Sequence, residues 1–223
     1  MNTFNFYVVT FLLLIFVSNQ ASAKDYKIIF IGDSITQGAA NLHYRCYLLN
    51  MLKSTGHNFD SVGSQNSGEA NCDADHEGHS GWKANDIILE LPAWAHTYNP
   101  DIALVHIGTN DIWRGENAES TAVEISEIVA ILQEANPNIV IFVAGIIPLI
   151  IENRNEEVKV LNTLLKGYVE FASTEFSKVI YVEQHTDFNL NNLPDGVHPN
   201  SAGASEMALR WFKALQEFFK SNN

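Results

Sequence analysis

Three short runs constrain this chain most: Lys27-Ile28-Ile29-Phe30-Ile31, Ile102-Ala103-Leu104-Val105-His106-Ile107 and Ile139-Val140-Ile141-Phe142-Val143-Ala144. Each is rich in β-branched residues and almost continuously apolar, the pattern of a strand covered on both faces in a parallel sheet. Phe59-Asp60-Ser61-Val62 and Val179-Ile180-Tyr181-Val182 are weaker strand candidates. Helical patterns lie between them, at Tyr44 to Leu52, Asn85 to Ala95, Ala122 to Glu134, Glu156 to Phe176 and Ser201 to Phe219. Pro92 perturbs the later part of the second. Strands alternating with helices predict an α/β fold, a three-layer αβα sandwich around a central parallel sheet of about five strands with right-handed crossovers.

The first residues, Met1 to Ala23, hold no Lys or Arg, an apolar run from Tyr7 to Val17, and Ala21-Ser22-Ala23. This is the pattern of a secretory signal peptide, with cleavage expected after Ala23 and an uncleaved anchor as the other reading. The apolar run falls short of the roughly 20 residues that span a bilayer, and no later stretch is apolar enough, so no stable membrane association is expected after cleavage. Residues 24–223 then form one domain, long enough for a single core. The protein is expected to be secreted, extracellular or periplasmic.

Acidic residues outnumber basic ones 26 to 13, and the net charge of −13 disfavours nucleic acid and anionic membranes as partners. Neutral or weakly charged substrates fit better, although simple solubility explains the charge equally well. Cys46 and Cys72 would meet an oxidising compartment on export, where either a bridge or two small buried thiols is open. No Asn-x-Ser/Thr acceptor occurs, so N-glycans are not expected.

In open sheets of this type, sites form outside the carboxyl ends of the strands. Ser34, in Gly32-Asp33-Ser34-Ile35-Thr36-Gln37-Gly38, follows the first strand; Gly108-Thr109-Asn110-Asp111 follows the second run; Asp195-Gly196-Val197-His198-Pro199 precedes the last helix. A serine hydroxyl needs an imidazole within hydrogen-bond reach and a carboxylate to fix the imidazole's tautomer, and Ser34, His198 and Asp195 are candidates for the three roles. Ser34 also reads as an ordinary helix cap. Asn110 is an uncharged donor suited to an oxyanion, or a turn residue satisfying nearby backbone.

Gly-Asp-Ser near the start, Gly-x-Asn-Asp in the middle and Asp-x-x-His-Pro near the end resemble the SGNH hydrolases, or GDSL esterases, over Lys27 to about Phe219. Ile35 stands where that family has Leu. Gly63 in Val62-Gly63-Ser64-Gln65 and Gly81 are both candidates for the family's oxyanion glycine. The segment Asp75-His76-Glu77-Gly78-His79-Ser80-Gly81-Trp82, with Val62-Gly63-Ser64 upstream and Tyr44-Arg45 after the nucleophile turn, is similar to the acetylxylan esterases of carbohydrate esterase family three. That similarity implies a flavodoxin-like sandwich and selects Gly81.

The resemblance implies a secreted serine esterase that cleaves acetyl esters on carbohydrate such as acetylated xylan and needs no cofactor. Ser34, His198 and Asp195 would be catalytic, with Ser34, Gly81 and Asn110 forming the oxyanion hole. The partner would be a small-molecule or polysaccharide ester. Lipase or thioesterase chemistry on the same fold is the nearest rival, and a non-catalytic carbohydrate-binding module is the other.

Asp73-Ala74-Asp75-His76-Glu77-Gly78-His79 is dense in ligand types, but His-Glu-Gly-His lacks the His-Glu-x-x-His spacing of a zinc site, so no metal is expected. His43, His57, His96, His106 and His185 read as surface or structural. Asp33 and Asp111 read as loop braces, Trp113 and Arg114 as either cleft-lining or packing residues, and Glu156-Glu157 as a solvated first helical turn.

Overall fold

A computed structural model describes residues 24–38, 43–68, 72–151 and 154–222. The expected signal segment, residues 1–23, lies outside the described residues. In chain order the elements are β1 (Asp25–Gly32), α1 (Ser34–Gln37), α2 (Tyr44–Leu52), β2 (Asn58–Val62), β3 (Gln65–Asn66), β4 (Asp75–Gly78), α3 (Ala84–Tyr98), β5 (Ile102–His106), α4 (Thr109–Trp113), α5 (Ala118–Ala135), β6 (Val140–Ala144), α6 (Asn155–Ala172), β7 (Val179–Val182) and α7 (Ser201–Ser221).

The five expected strands form the parallel core of the sheet, in the order β2-β1-β5-β6-β7. Successive β1 residues alternate between two clusters. Ile29 and Ile31 pack with the apolar stripes of α3, α5 and α6, whereas Ile28 and Phe30 pack with those of α2 and α7. That two-sided burial is why the strand runs are apolar throughout rather than alternating. In α5 the buried residues Thr121, Ile125, Ile128, Val129 and Leu132 recur at helical spacing, so one face of the helix meets the sheet.

The sheet has seven strands rather than about five. β2 pairs with β1 only from Asp25 to Ile29, and the parallel strand β4 takes over beside Ile31 and Gly32. β3 joins β4 antiparallel. Neither short strand has an apolar run, because β4 carries the polar Asp75-His76-Glu77 and β3 is only Gln65-Asn66. The exchange places the carboxyl end of β4 against that of β1, where the candidate site residues lie. α1 lies directly over β4, and a Cβ on Gly78 would fall 2.3 Å from the Gln37 amide nitrogen.

Three helix boundaries differ from the sequence pattern. α3 runs through Pro92 to Tyr98, with the proline on the exposed side where a freed carbonyl can meet water. α5 starts at Ala118 because the Asn117 side chain accepts the Ser120 amide at 2.7 Å. α6 stops at Ala172 rather than Phe176, because the Ser173 hydroxyl accepts the Val179 amide at 2.9 Å and turns the chain into β7. Cys46 and Cys72 form a disulfide, their Cα atoms 5.5 Å apart.

Candidate active site

The first strand ends in a sharp turn that frees a serine side chain. Asp33, not Ser34, caps α1 by accepting the Ile35 amide at 2.9 Å, and Ser34 is the first residue of the helix. The helix-cap role therefore falls to its neighbour. Ser34 Oγ lies 2.8 Å from His198 Nε2, and His198 Nδ1 lies 2.7 Å from Asp195 Oδ2. The other Asp195 oxygen accepts the amides of Val197 at 2.9 Å and His198 at 2.7 Å. Asn200 caps α7 just beyond, accepting the Gly203 amide at 3.0 Å.

Partial burial pushes the Asp195 carboxyl up, but the hydrogen bonds from His198 and Val197 outweigh it and hold the group below the ordinary carboxylate range. The same hydrogen bonds thus favour the Asp195 carboxylate over its protonated form. The His198 and Asp195 side chains are 35% and 56% exposed, so the line lies on an open rim that a polymer can reach.

Gly81 sits in the turn after β4 with φ +80°, a conformation that favours glycine. Backbone and side-chain groups hold this turn from several sides. The His79 amide donates to Gly32 O at 2.9 Å, the Ser80 amide to Gln37 Oε1 at 3.0 Å, and the Asn110 side-chain amide to Trp82 O at 2.9 Å. Asn110 Nδ2 carries a second hydrogen, which this bond leaves available. The fully buried Glu77 accepts both the Ser64 hydroxyl and the His79 ring Nε2 at 2.8 Å, and the His79 ring stacks on Trp82 with centroids 4.1 Å apart. Gly63 has a different setting: a Cβ there would fall 2.3 Å from the His76 carbonyl, so it is a close-packing position against β4.

Asp33 and Asp111 brace loops, Asp33 through Ile35 and Asp111 by accepting the Ala84 amide at 3.0 Å. Burial pushes each carboxyl up to about 6. Glu157 differs from the solvated pair read from sequence. Glu156 is exposed, but Glu157 accepts the Ala118 amide at 2.8 Å and ties α6 to the start of α5. His43 caps α2 and His106 is buried in β5, while His57, His96 and His185 stand on the surface or partly exposed.

One feature was marked in the sequence only by the Tyr44-Arg45 resemblance, and another escapes sequence reasoning. Arg45, fully buried, donates to the carbonyls of Thr36, Ala74, Gln37 and Ser67, clamping the Ser34 turn to the loop before β4. Gln37 links α1 to the Gly81 turn, and its position three residues after Ser34 on one helical turn is the only clue the sequence offers.

In the acidic loop, Asp73 accepts the Ser61 amide at 2.6 Å, the His76 ring meets Ser67 Oγ at 2.7 Å, and Glu77 holds His79 and Ser64, so these groups face separate partners. Among the described residues, the grouping close enough to hold a cation is Asp111, Glu116 and Glu124, with ligand atoms within 4.8 Å of one another and Lys83 paired to Glu116.

Residues 30–205 match the GDSL-like Lipase/Acylhydrolase family. The chain is 29% identical to the multidomain esterase of Ruminococcus flavefaciens over 91% of its own length, and spans 30% of that relative's length. It superposes with TM-score 0.79 on a carbohydrate esterase family 3 protein from Talaromyces cellulolyticus, 32% identical, covering 88% of this chain and 99% of that one. An acetyl esterase solved as a serine-to-alanine variant with an acetate ion gives TM-score 0.79 at 31% identity, over 89% of this chain and all of that one. The chain therefore belongs to the GDSL-like lipase/acylhydrolase family and, within it, to carbohydrate esterase family 3.

Proposed function

We propose that this protein is a secreted serine esterase that removes acetyl groups from carbohydrate, acetylated xylan among them, through an acyl-serine intermediate on Ser34. The observation that carries the mechanism is the unbroken line Ser34 Oγ, His198 Nε2, His198 Nδ1 and Asp195 Oδ2, with gaps of 2.8 and 2.7 Å. His198 takes the hydroxyl proton as Ser34 attacks the ester carbonyl, then returns it to the departing sugar hydroxyl. Asp195 fixes the His198 tautomer and stabilises the imidazolium that forms. Water, activated by His198 in turn, releases acetate.

The oxyanion would lie between the Ser34 and Gly81 amides and the free N–H of Asn110. Removing one such donor costs about 10²- to 10³-fold in turnover. The acetyl and carbohydrate assignments are supported by the acetyl esterase and family 3 relatives. Export is supported by the disulfide and the N-terminal pattern.

A hydrolysis panel tests the proposal, running from acetylated xylan and acetyl aryl esters to long-chain and thioester substrates. Acetyl esters should lead, Ser34→Ala should be inactive, and Asn110→Ala should be folded but slowed by two orders of magnitude or more. Unchanged turnover in Ser34→Ala would remove the acyl-serine, and long-chain preference would replace the carbohydrate substrate with a lipid.

A further inference from the structure

Asn110, Trp113 and Arg114 stand at the i, i+3 and i+4 positions of one helical turn that starts in α4, a spacing that puts their side chains on a shared face. Asn110 sets the direction of that face, because its amide donates to Trp82 O beside Gly81. Arg114 reaches the same turn, its Nη2 coming within 3.4 Å of the point where a Cβ on Gly81 would sit. Trp113 leaves 39% of its surface exposed, a large open area for an indole.

Arg114 is exposed and, among the described residues, has no carboxylate within ion-pair distance, in a chain where acids outnumber bases two to one. A second guanidinium lies nearby. Arg154 Nη2 is 3.7 Å from the Cβ position of Gly115, the residue after Arg114. Arg154, at the start of α6, thus brings a second guanidinium to the turn that carries Arg114, while the acids nearest in sequence, Asp111 and Glu116, are engaged with the Ala84 amide and Lys83.

We infer that Trp113 and Arg114 form a subsite for an anionic sugar, a uronate unit carried near the ester being cleaved; this deepens and rests on the esterase reading. A pyranose ring presents an apolar C–H face that an exposed indole can cover. A planar guanidinium pairs with a carboxylate through two parallel hydrogen bonds. Without a local cation, a surface of charge −13 would repel such a substrate.

The test compares kcat/KM on acetylated glucuronoxylan with kcat/KM on the same polymer after its carboxyl groups are reduced to alcohols. The native protein should prefer the acidic polymer, with the preference shrinking as sodium chloride is added. Arg114→Gln should lower the ratio about fivefold, the size of one exposed charge pair, and Arg114→Lys should keep part of it. A native ratio near one overturns the subsite. So does an Arg114→Gln loss that is equal on both polymers, which would assign Arg114 to holding the Gly81 turn. If neither polymer is hydrolysed, the esterase reading has failed separately, and calorimetric titration with acidic and neutral xylo-oligosaccharides decides. Tighter binding of the acidic one, lost in Arg114→Gln, supports the subsite, and equal binding overturns it.

Discussion

Gln37 Oε1 accepts the Ser80 amide at 3.0 Å, joining the helical turn that begins at Ser34 to the turn that carries Gly81. The bond ties together the elements that carry the proposed attacking oxygen and the proposed oxyanion donor, whose separation turnover would depend on steeply. Gln37→Leu should lower kcat about tenfold while KM changes little, and Gln37→Glu, which keeps the acceptor, should recover most of the loss. A variant that melts earlier yet turns over normally would reduce Gln37 to a structural tie.

Arg45 satisfies four carbonyls at once from a fully buried position. Arg45→Met keeps much of the volume and leaves those acceptors without a donor, each costing about 1–3 kcal/mol when water cannot reach it. Urea denaturation should show a loss of at least about 3 kcal/mol. A loss under 1 kcal/mol would mean that water or a shifted side chain replaces the guanidinium.

The Cys46–Cys72 bridge closes a loop with a sequence separation of 26. Constraining the unfolded chain over that length stabilises the fold by about 3 to 4 kcal/mol. The double variant Cys46→Ser with Cys72→Ser should therefore melt well below the native protein. An unchanged melting temperature would show that the clamp around Arg45 already holds α2 to the loop before β4.

Stability should fall on acidification. Burial holds the His43, His76 and His106 rings at about 4, 3 and 4, against an ordinary 6.5. The unfolded chain thus takes up protons that the folded one refuses, and the stability these rings contribute above 6.5 is lost as pH drops toward 4. Asp33 and Asp111, pushed by burial from 3.8 to about 6, act in the opposite sense: their contribution is complete below 3.8 and lost as pH rises through 6. The histidine shifts are larger and more numerous, so melting temperature should decrease from pH 6.5 to pH 4.5. His106→Gln should flatten that slope; an equally steep slope in the variant would clear His106 of any part in it.

The parallel core of this fold was legible because β1, β5 and β6 are buried on both faces, which leaves a continuous apolar signature. β4 left none. Its residues are polar because they face Ser64, Ser67 and the Gly81 turn, so strand and site coincide and the usual periodicity vanishes. The residues that meet at the rim were marked by chemistry and spacing. Asp195 and His198 are three apart, and Ser34 follows a strand. Gln37 was hidden, and Arg45 was marked only through the Tyr44-Arg45 resemblance, for a physical reason. They act on backbone carbonyls and amides brought close only by folding, and no residue-type pattern encodes a main-chain partner.

Asp195 and His198 ride on one loop, whereas Ser34 reaches His198 across a separation of 164 residues. The proposed acid–base pair is consequently a local object and its contact with the proposed nucleophile a global one. Tyr44 connects them mechanically: its hydroxyl meets Thr36 Oγ1 at 3.1 Å behind Ser34, and its ring stacks on Trp211 of the last helix, centroids 6.1 Å apart. A slight loosening of that helix would part the serine from an otherwise intact imidazole–carboxylate couple. Catalysis would then vanish in mild denaturant before the bulk of the secondary structure melts, making turnover a sensitive gauge of whether the two ends of the chain remain docked.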